Sequence, residues 1–166
     1  MSFRPFLPML FLFFFQCQNI KKEGEKTVEE KPPVLVKDIP PLSYLDMMGQ
    51  KHLANALEGK VILVLFQPDC DHCTREAEEM RKNLEYFKNY KLCFISSAEI
   101  PQIREFAQSF GFLGQPNFSF GQTSVEEVLK HFGPIPTPSL YIYSEEGKLL
   151  QTFKGETPID HILSKL

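Results

Sequence analysis

Two cysteines with two residues between them stand where an apolar run meets a helical pattern. The run Val61-Ile62-Leu63-Val64-Leu65-Phe66 shows no polar alternation, as expected of a strand buried on both faces of a sheet. Cys70-Asp71-His72-Cys73 follows, and a helical pattern runs from Thr74 to Lys88. Within it Cys73, Ala77, Met80, Leu84 and Phe87 recur at spacings of four and three, which is one helix face. The partial positive charge of a helix N-terminus stabilises a thiolate on the first cysteine. The second lies one turn on, close enough to close a disulfide with it. The stripe turns Cys73 toward the sheet and leaves Cys70 accessible, so the attacking thiol can be reached and the resolving thiol hidden.

The remainder reads as alternating strands and helices from Val34 onward. Gly49 to Glu58, with Leu53 and Leu57, is expected to be a short helix ended by Gly59. Leu92 to Ile95 is a strand, and Ser96-Ser-Ala-Glu99 fits a capping box ahead of a helix with Pro101 in its first turn. Ile103, Phe106, Ala107 and Phe110 mark that helix's apolar face. Asn117 to Phe120 is a short strand, and Thr123-Ser-Val-Glu126 is a second capping box. The helix after it carries Val125, Val128, Leu129 and Phe132. Leu140 to Tyr143 and Leu149 to Phe153 are strands joined through the turn Ser144-Glu-Glu-Gly147. Thr157-Pro158 opens a last helix with Ile159, Ile162, Leu163 and Leu166 on one side. This order describes an α/β fold around a mixed sheet.

The N-terminus is different in kind. Phe6 to Phe15 is almost wholly apolar, follows Arg4 and stops at Gln16-Cys17. It is too short to span a bilayer as a helix but matches a signal-peptide core in length. The abrupt change at Cys17 resembles a bacterial lipoprotein signal, although Gln16 stands where a small residue is usual. An ordinary signal peptide with an incidental cysteine is the competing reading. Residues 17–33 are charged and nearly free of apolar groups, a tether rather than a folded unit. The expected organisation is a signal peptide over 1–16, a lipid-anchored tether over 17–33 and one domain over 34–166. Export implies a compartment where disulfides persist.

The net charge of −3 gives no sign of nucleic-acid binding. Cys93 sits in the apolar run Leu92-Cys93-Phe94-Ile95 and reads as a small core residue. Tetrahedral zinc would need two ligands beyond Cys70 and Cys73. His52, His131 and His161 show no ligand spacing and read as solvated helix residues. No metal and no organic cofactor is expected.

Two segments together carry a family resemblance. Leu65-Phe66-Gln67-Pro68-Asp69-Cys70-Asp71-His72-Cys73 resembles the active-site segment of the thioredoxin superfamily. Thr137-Pro138-Ser139-Leu140-Tyr141-Ile142-Tyr143, with Gly147 after it, resembles the family's cis-proline strand and hairpin. The N-terminal extension and the extra strand–helix unit are similar to envelope-anchored TlpA/ResA-like redoxins. The resemblance covers residues 34–166 and implies a thioredoxin-like fold. It implies that Pro138 is cis and that Thr137 offers its backbone to a substrate strand. Pro134 and Pro136 are rivals for the cis position. Val64 stands where cytoplasmic thioredoxins bury an aspartate, and there is no tryptophan. Glu76 matches a glutamate of the ResA-like branch, where partial burial would suit it to proton transfer. The alternative is an ordinary charged residue beside Arg75, Glu78 and Glu79.

The activity implied is thiol–disulfide exchange with protein substrates in the cell envelope, with a reductase-like role and an upstream redox partner. The protein would act as a monomer, held on a periplasm-facing membrane through Cys17. A protonated His72 would stabilise the Cys70 thiolate, while Asp69 and Asp71 oppose it. Three other functions remain open. Cys70 and Cys73 could handle copper. The scaffold could serve a peroxiredoxin-like thiol peroxidase, although Pro68 and Cys70 do not supply the usual Pro-x-x-x-Thr-x-x-Cys setting. Phe110, Phe112, Phe118 and Phe120 could form the surface of a non-catalytic binding module.

Overall fold

The computed structural model describes residues 36–166; the expected signal peptide, Cys17 and tether lie outside the described residues. In chain order the strands and helices are β1 (Ser43–Asp46), β2 (Lys51–Leu53), β3 (Val61–Leu65), α1 (Asp71–Lys82), α2 (Leu84–Phe87), β4 (Lys91–Ser96), α3 (Ile100–Ser109), β5 (Phe118–Gln122), α4 (Val125–Phe132), β6 (Ser139–Tyr143), β7 (Leu149–Lys154) and α5 (Ile159–Leu163). The strands form one mixed sheet in the order β2-β1-β5-β4-β3-β6-β7. The fold is thioredoxin-like, with an α/β layering around this sheet.

β3 lies inside the sheet, and all five of its residues are apolar and buried. It pairs in parallel with β4, Val61 opposite Lys91 through Leu65 opposite Ile95. On its other side it pairs antiparallel with β6, Leu65 opposite Ser139. Alternate side chains supply two cores. Ile62, Val64, Leu92, Phe94, Phe120, Leu140 and Ile142 face a layer that includes Ala77, Met80, Ile103, Phe106 and Ile162. Val61, Leu63, Leu65, Cys93, Ile95, Tyr141 and Tyr143 face Ile39, Leu42 and Ala54, with Val128 and Phe132 at the margin. Cys93 is therefore core.

Several local expectations are corrected. Gly49 to Glu58 is not a helix: Lys51–Leu53 is a strand paired antiparallel with β1, followed by a 3-10 turn at Ala54–Ala56. The Asp46 side chain accepts from the Met48 and Gln50 backbone N–H groups and so builds the hairpin turn that the Leu53/Leu57 spacing concealed. The helix expected to run to Lys88 breaks at Asn83, whose side chain donates to the Glu79 carbonyl. The stripe nevertheless continues, and Phe87 is buried. The α3 capping box is Glu99 with Gln102, since Ser96 still belongs to β4. The cap of α4 is Ser124, accepting from Glu127 N–H, because the Thr123 hydroxyl is committed to the Ser43 carbonyl at 2.6 Å. His131 is mostly covered, and its Nε2 is buried without a hydrogen-bond partner. Phe112 and Phe120 lie in the core and stack with Phe94 and Phe118, so the phenylalanines proposed as a partner surface mainly fill the interior.

Candidate functional site

β3, flanked by β4 and β6, ends at Leu65, and the chain turns through Gln67-Pro68-Asp69 into α1. Phe66 N–H still reaches the Ile95 carbonyl at 3.1 Å, so the ladder carries the chain almost to the cysteines. Cys70 caps α1 with extended backbone, and its sulfur accepts from Cys73 N–H at 3.4 Å. The cap is thus a thiol sulfur, and the helix dipole points at it. Cys70 is half-buried and Cys73 is buried, both with free thiols. Cys73 shares its helix face with Ala77 and Met80, in contact with the core.

The second strand of the site arrives from far along the chain. The Thr137–Pro138 bond is cis, and neither Pro134 nor Pro136 follows a cis bond. The Cys70 thiol donates to the Thr137 carbonyl at 3.6 Å, and the Thr137 hydroxyl reaches the same sulfur at 3.8 Å. Burial resists ionisation of Cys70. Hydrogen bonds from the Cys73 thiol and backbone, the Thr137 hydroxyl and the His72 backbone outweigh it and hold Cys70 below the ordinary thiol range. Cys73 is pushed up to about 12, first by burial and then by donating to Cys70. The two thiols therefore differ: Cys70 is drawn toward ionisation and Cys73 is held protonated.

Glu76, one turn beyond Cys73, is 4% exposed. Its carboxylate accepts from the Thr157 N–H at 3.0 Å. Burial pushes it up to about 7; the Thr157 hydrogen bond works against this, and the nearby Glu156 charge adds to it. Asp71 is exposed in the first turn of α1. His72 is also exposed, but its ring is engaged: Nδ1 lies 2.6 Å from Glu156 Oε2 and 2.7 Å from an Arg75 nitrogen. Arg75 grips both oxygens of Glu156, at 2.8 and 2.6 Å. Sequence reasoning missed Arg75 and Glu156 as site residues. They are 81 positions apart, and no local pattern joins them.

Gln67 is a second omission. Its amide accepts from Ser96 Oγ at 3.0 Å and donates to Ser97 Oγ at 2.6 Å, tying the cysteine loop to the end of β4. Beside it opens a cleft of about 320 Å³, walled by Leu65, Phe66, Val128, Leu129 and Ile135 and reaching Thr137. Val125 and Leu129 are 55% and 49% exposed there, although they complete the apolar face of α4. The cleft runs up to the residue that touches the Cys70 sulfur.

Among the described residues no group of three or more His, Cys, Asp or Glu side chains is disposed to hold a metal ion. No helix among them is long and apolar enough to cross a membrane. The chain is 26% identical over 137 residues to the thiol-disulfide oxidoreductase ResA of Bacillus thuringiensis, covering 81% of this chain and 77% of that protein. Its fold is similar to DsbF of Mycobacterium tuberculosis, with a TM-score of 0.65, 16% identity, and coverage of 78% of this chain and 96% of that one. It is also similar in fold to copper-bound ScoI of Arabidopsis thaliana, with a TM-score of 0.61, 17% identity, and coverage of 76% and 94%. The AhpC/TSA family model matches residues 36–152. That stretch takes in the β1–β2 hairpin, the cysteine helix and the cis-proline strand with its partner β7 as far as Thr152, and the chain belongs to the AhpC/TSA family.

Proposed function

We propose that this protein is a thiol–disulfide oxidoreductase that works through Cys70 and Cys73. The observation that carries the reading is the unequal pair: an accessible Cys70 sulfur held toward its thiolate, backed by a buried Cys73 that stays protonated. In the reducing direction the Cys70 thiolate attacks one sulfur of a substrate disulfide. A Cys70–substrate disulfide forms, and the other substrate sulfur leaves as a thiolate and takes up a proton. Cys73 then loses its proton and attacks Cys70. The Cys70–Cys73 disulfide forms, and the second substrate thiol is released. Two electrons have passed to the substrate, and an upstream dithiol must return them.

Thr137 and Pro138 are the proposed substrate-binding pair. The Thr137 carbonyl faces the reacting sulfur, at the end of the apolar cleft. Glu76 is the proposed proton acceptor for Cys73: it lies one turn away on the same helix and is half-ionised near neutral pH. Asp71 and His72 adjust the charge around the helix start. The substrates are proteins carrying disulfides or thiols, and the favoured direction is reduction. The site lies in the cell envelope, facing the periplasm, with the monomeric domain held to the membrane by a lipid on Cys17. The apolar run ending at Cys17 supports that placement.

The test is trapping. Cys73→Ser should accumulate substrate-linked adducts that reductant dissolves, because the mixed disulfide has lost its resolving thiol. Cys70→Ser should accumulate none. Adducts of equal yield in the second variant would sink the assignment of Cys70 as nucleophile.

A further inference from the structure

Three consecutive residues between β7 and α5 each hold a different piece of the redox site. Gly155 N–H donates to the Pro138 carbonyl at 2.8 Å, on the cis-proline strand. The Glu156 carboxylate binds Arg75 through two hydrogen bonds and His72 through one, both on the first turns of α1. Thr157 N–H donates to Glu76. Gly155 makes this path with a φ of 85°, a conformation that side chains disfavour. Gly155 and Thr157 contribute backbone groups, which many sequences would supply. Glu156 alone in the loop contributes a charge.

That charge sits where it matters for the sulfur. Arg75 and His72 are the cationic or protonatable groups that follow Cys70 at the helix start. Free, each would add to the helix dipole and favour a Cys70 thiolate. Both side chains instead point to Glu156. The carboxylate is held down to about 2, first by the Arg75 hydrogen bonds and then by His72, so it stays ionised at any physiological pH. Asp71 on α1 and the buried Glu76 are the remaining acids around the cluster; the fields of Asp71 and of Cys70 act on Arg75, and that of Glu156 on Glu76.

We propose that Glu156 is a positioning residue that sets the direction of exchange: by holding Arg75 and His72 it sets its own negative charge against the positive field that Arg75 casts on Cys70 and keeps the couple reducing. The inference rests on Cys70 and Cys73 being the exchanging pair. A less stabilised thiolate makes the dithiol form less stable, so the dithiol gives up its two electrons more readily and closes to the disulfide. Glu156 touches neither sulfur. It acts through the two α1 side chains it holds.

The experiment is equilibration of the full chain in glutathione redox buffers at about pH 8, where a free imidazole is mostly neutral. Wild type, Glu156→Gln, Glu156→Asp, Arg75→Gln and the Arg75→Gln/Glu156→Gln double variant are compared. Glu156→Gln should lower the equilibrium constant for closing the disulfide by about two- to tenfold, as release of one nearby cation predicts. Its Cys70 thiolate absorbance should persist to lower pH. Glu156→Asp should recover part of the shift. Arg75→Gln alone should shift the constant the opposite way, since it leaves the Glu156 charge unpaired beside the helix start, and the double variant should return to near wild type, which a merely loosened loop would not do. A wild-type constant in Glu156→Gln, or a shift that survives in the double variant, overturns the proposal. Absence of any reversible disulfide in the wild-type chain would instead overturn the exchange reading beneath it.

Discussion

Cys73 and Glu76 share one turn of α1, and burial drives both toward their protonated forms. For Glu76 this has a consequence for stability. Its folded pKa, about 7, lies above the unfolded value of 4.5. The native state therefore binds the proton more tightly, and stability is lost as pH rises from about 4.5 through about 7. The loss is bounded at about 3 kcal/mol by the size of the shift. Glu76→Gln removes this dependence. The difference in Tm between Glu76→Gln and wild type should move in the variant's favour from about pH 5 to about pH 8. A difference that stays constant with pH would mean the buried carboxyl is not what titrates. The spacing of Cys73, Ala77 and Met80 made the burial of Cys73 legible in the chain. Glu76 was ambiguous because it flanks that stripe, and its cover and partner come from Thr157, 81 residues away.

α4 shows how an element can match its pattern and still be misjudged. Val125, Val128, Leu129 and Phe132 form the expected apolar face, yet no α4 residue is fully buried. Val128 and Phe132 meet the core, and Val125 and Leu129, with one side of Val128, line the cleft beside Thr137. Periodicity reports which side of a helix avoids water, and a binding wall and a core wall satisfy it equally. Leu129→Asp should therefore cost little stability, since the side chain is half exposed. It should raise KM for a disulfide-bearing protein substrate by about fivefold, near 1 kcal/mol of lost apolar contact. Turnover of a small glutathione-type disulfide should be unchanged. Equal loss on both substrates would remove the cleft from the docking path. The false helix over Gly49 to Glu58 has a related origin. Two leucines four apart suit a helix, but the Asp46 carboxylate closes a hairpin there, and β2 pairs along β1.

For the whole molecule, sheet order is what makes the site. β6 lies beside β3, and so Thr137 and Cys70, 67 residues apart, come into contact. Parallel pairing of β3 with β4 and β4 with β5 requires crossover connections. Those crossovers place α1 and α3 on the sheet and leave the cysteines beyond the C-terminal end of β3. Cys70, Cys73, Glu76, Thr137 and Pro138 all lie within the described residues, and the proposed anchor, Cys17, lies outside them. Cys17→Ser should move the protein from the membrane fraction to the soluble fraction and leave the exchange rate of the solubilised protein unchanged. Retention on the membrane would point to the apolar run itself as the anchor.

The chain alone determined the buried strand β3, the start of the helix behind it and the unequal burial of the two sulfurs, because each follows from the side chains of contiguous residues: an unbroken apolar run, a stripe at helical spacing, a thiol at a helix start. The resemblance on Thr137 and Pro138 extended this to the facing strand. Only the tertiary structure decided what surrounds the sulfurs. The Glu156 clamp on His72 and Arg75, the Thr157 bond to Glu76 and the open wall of α4 join segments that meet only when the sheet is assembled. Charge and solvation at one atom depend on every group folded near it, and a linear order of residues does not record those distances.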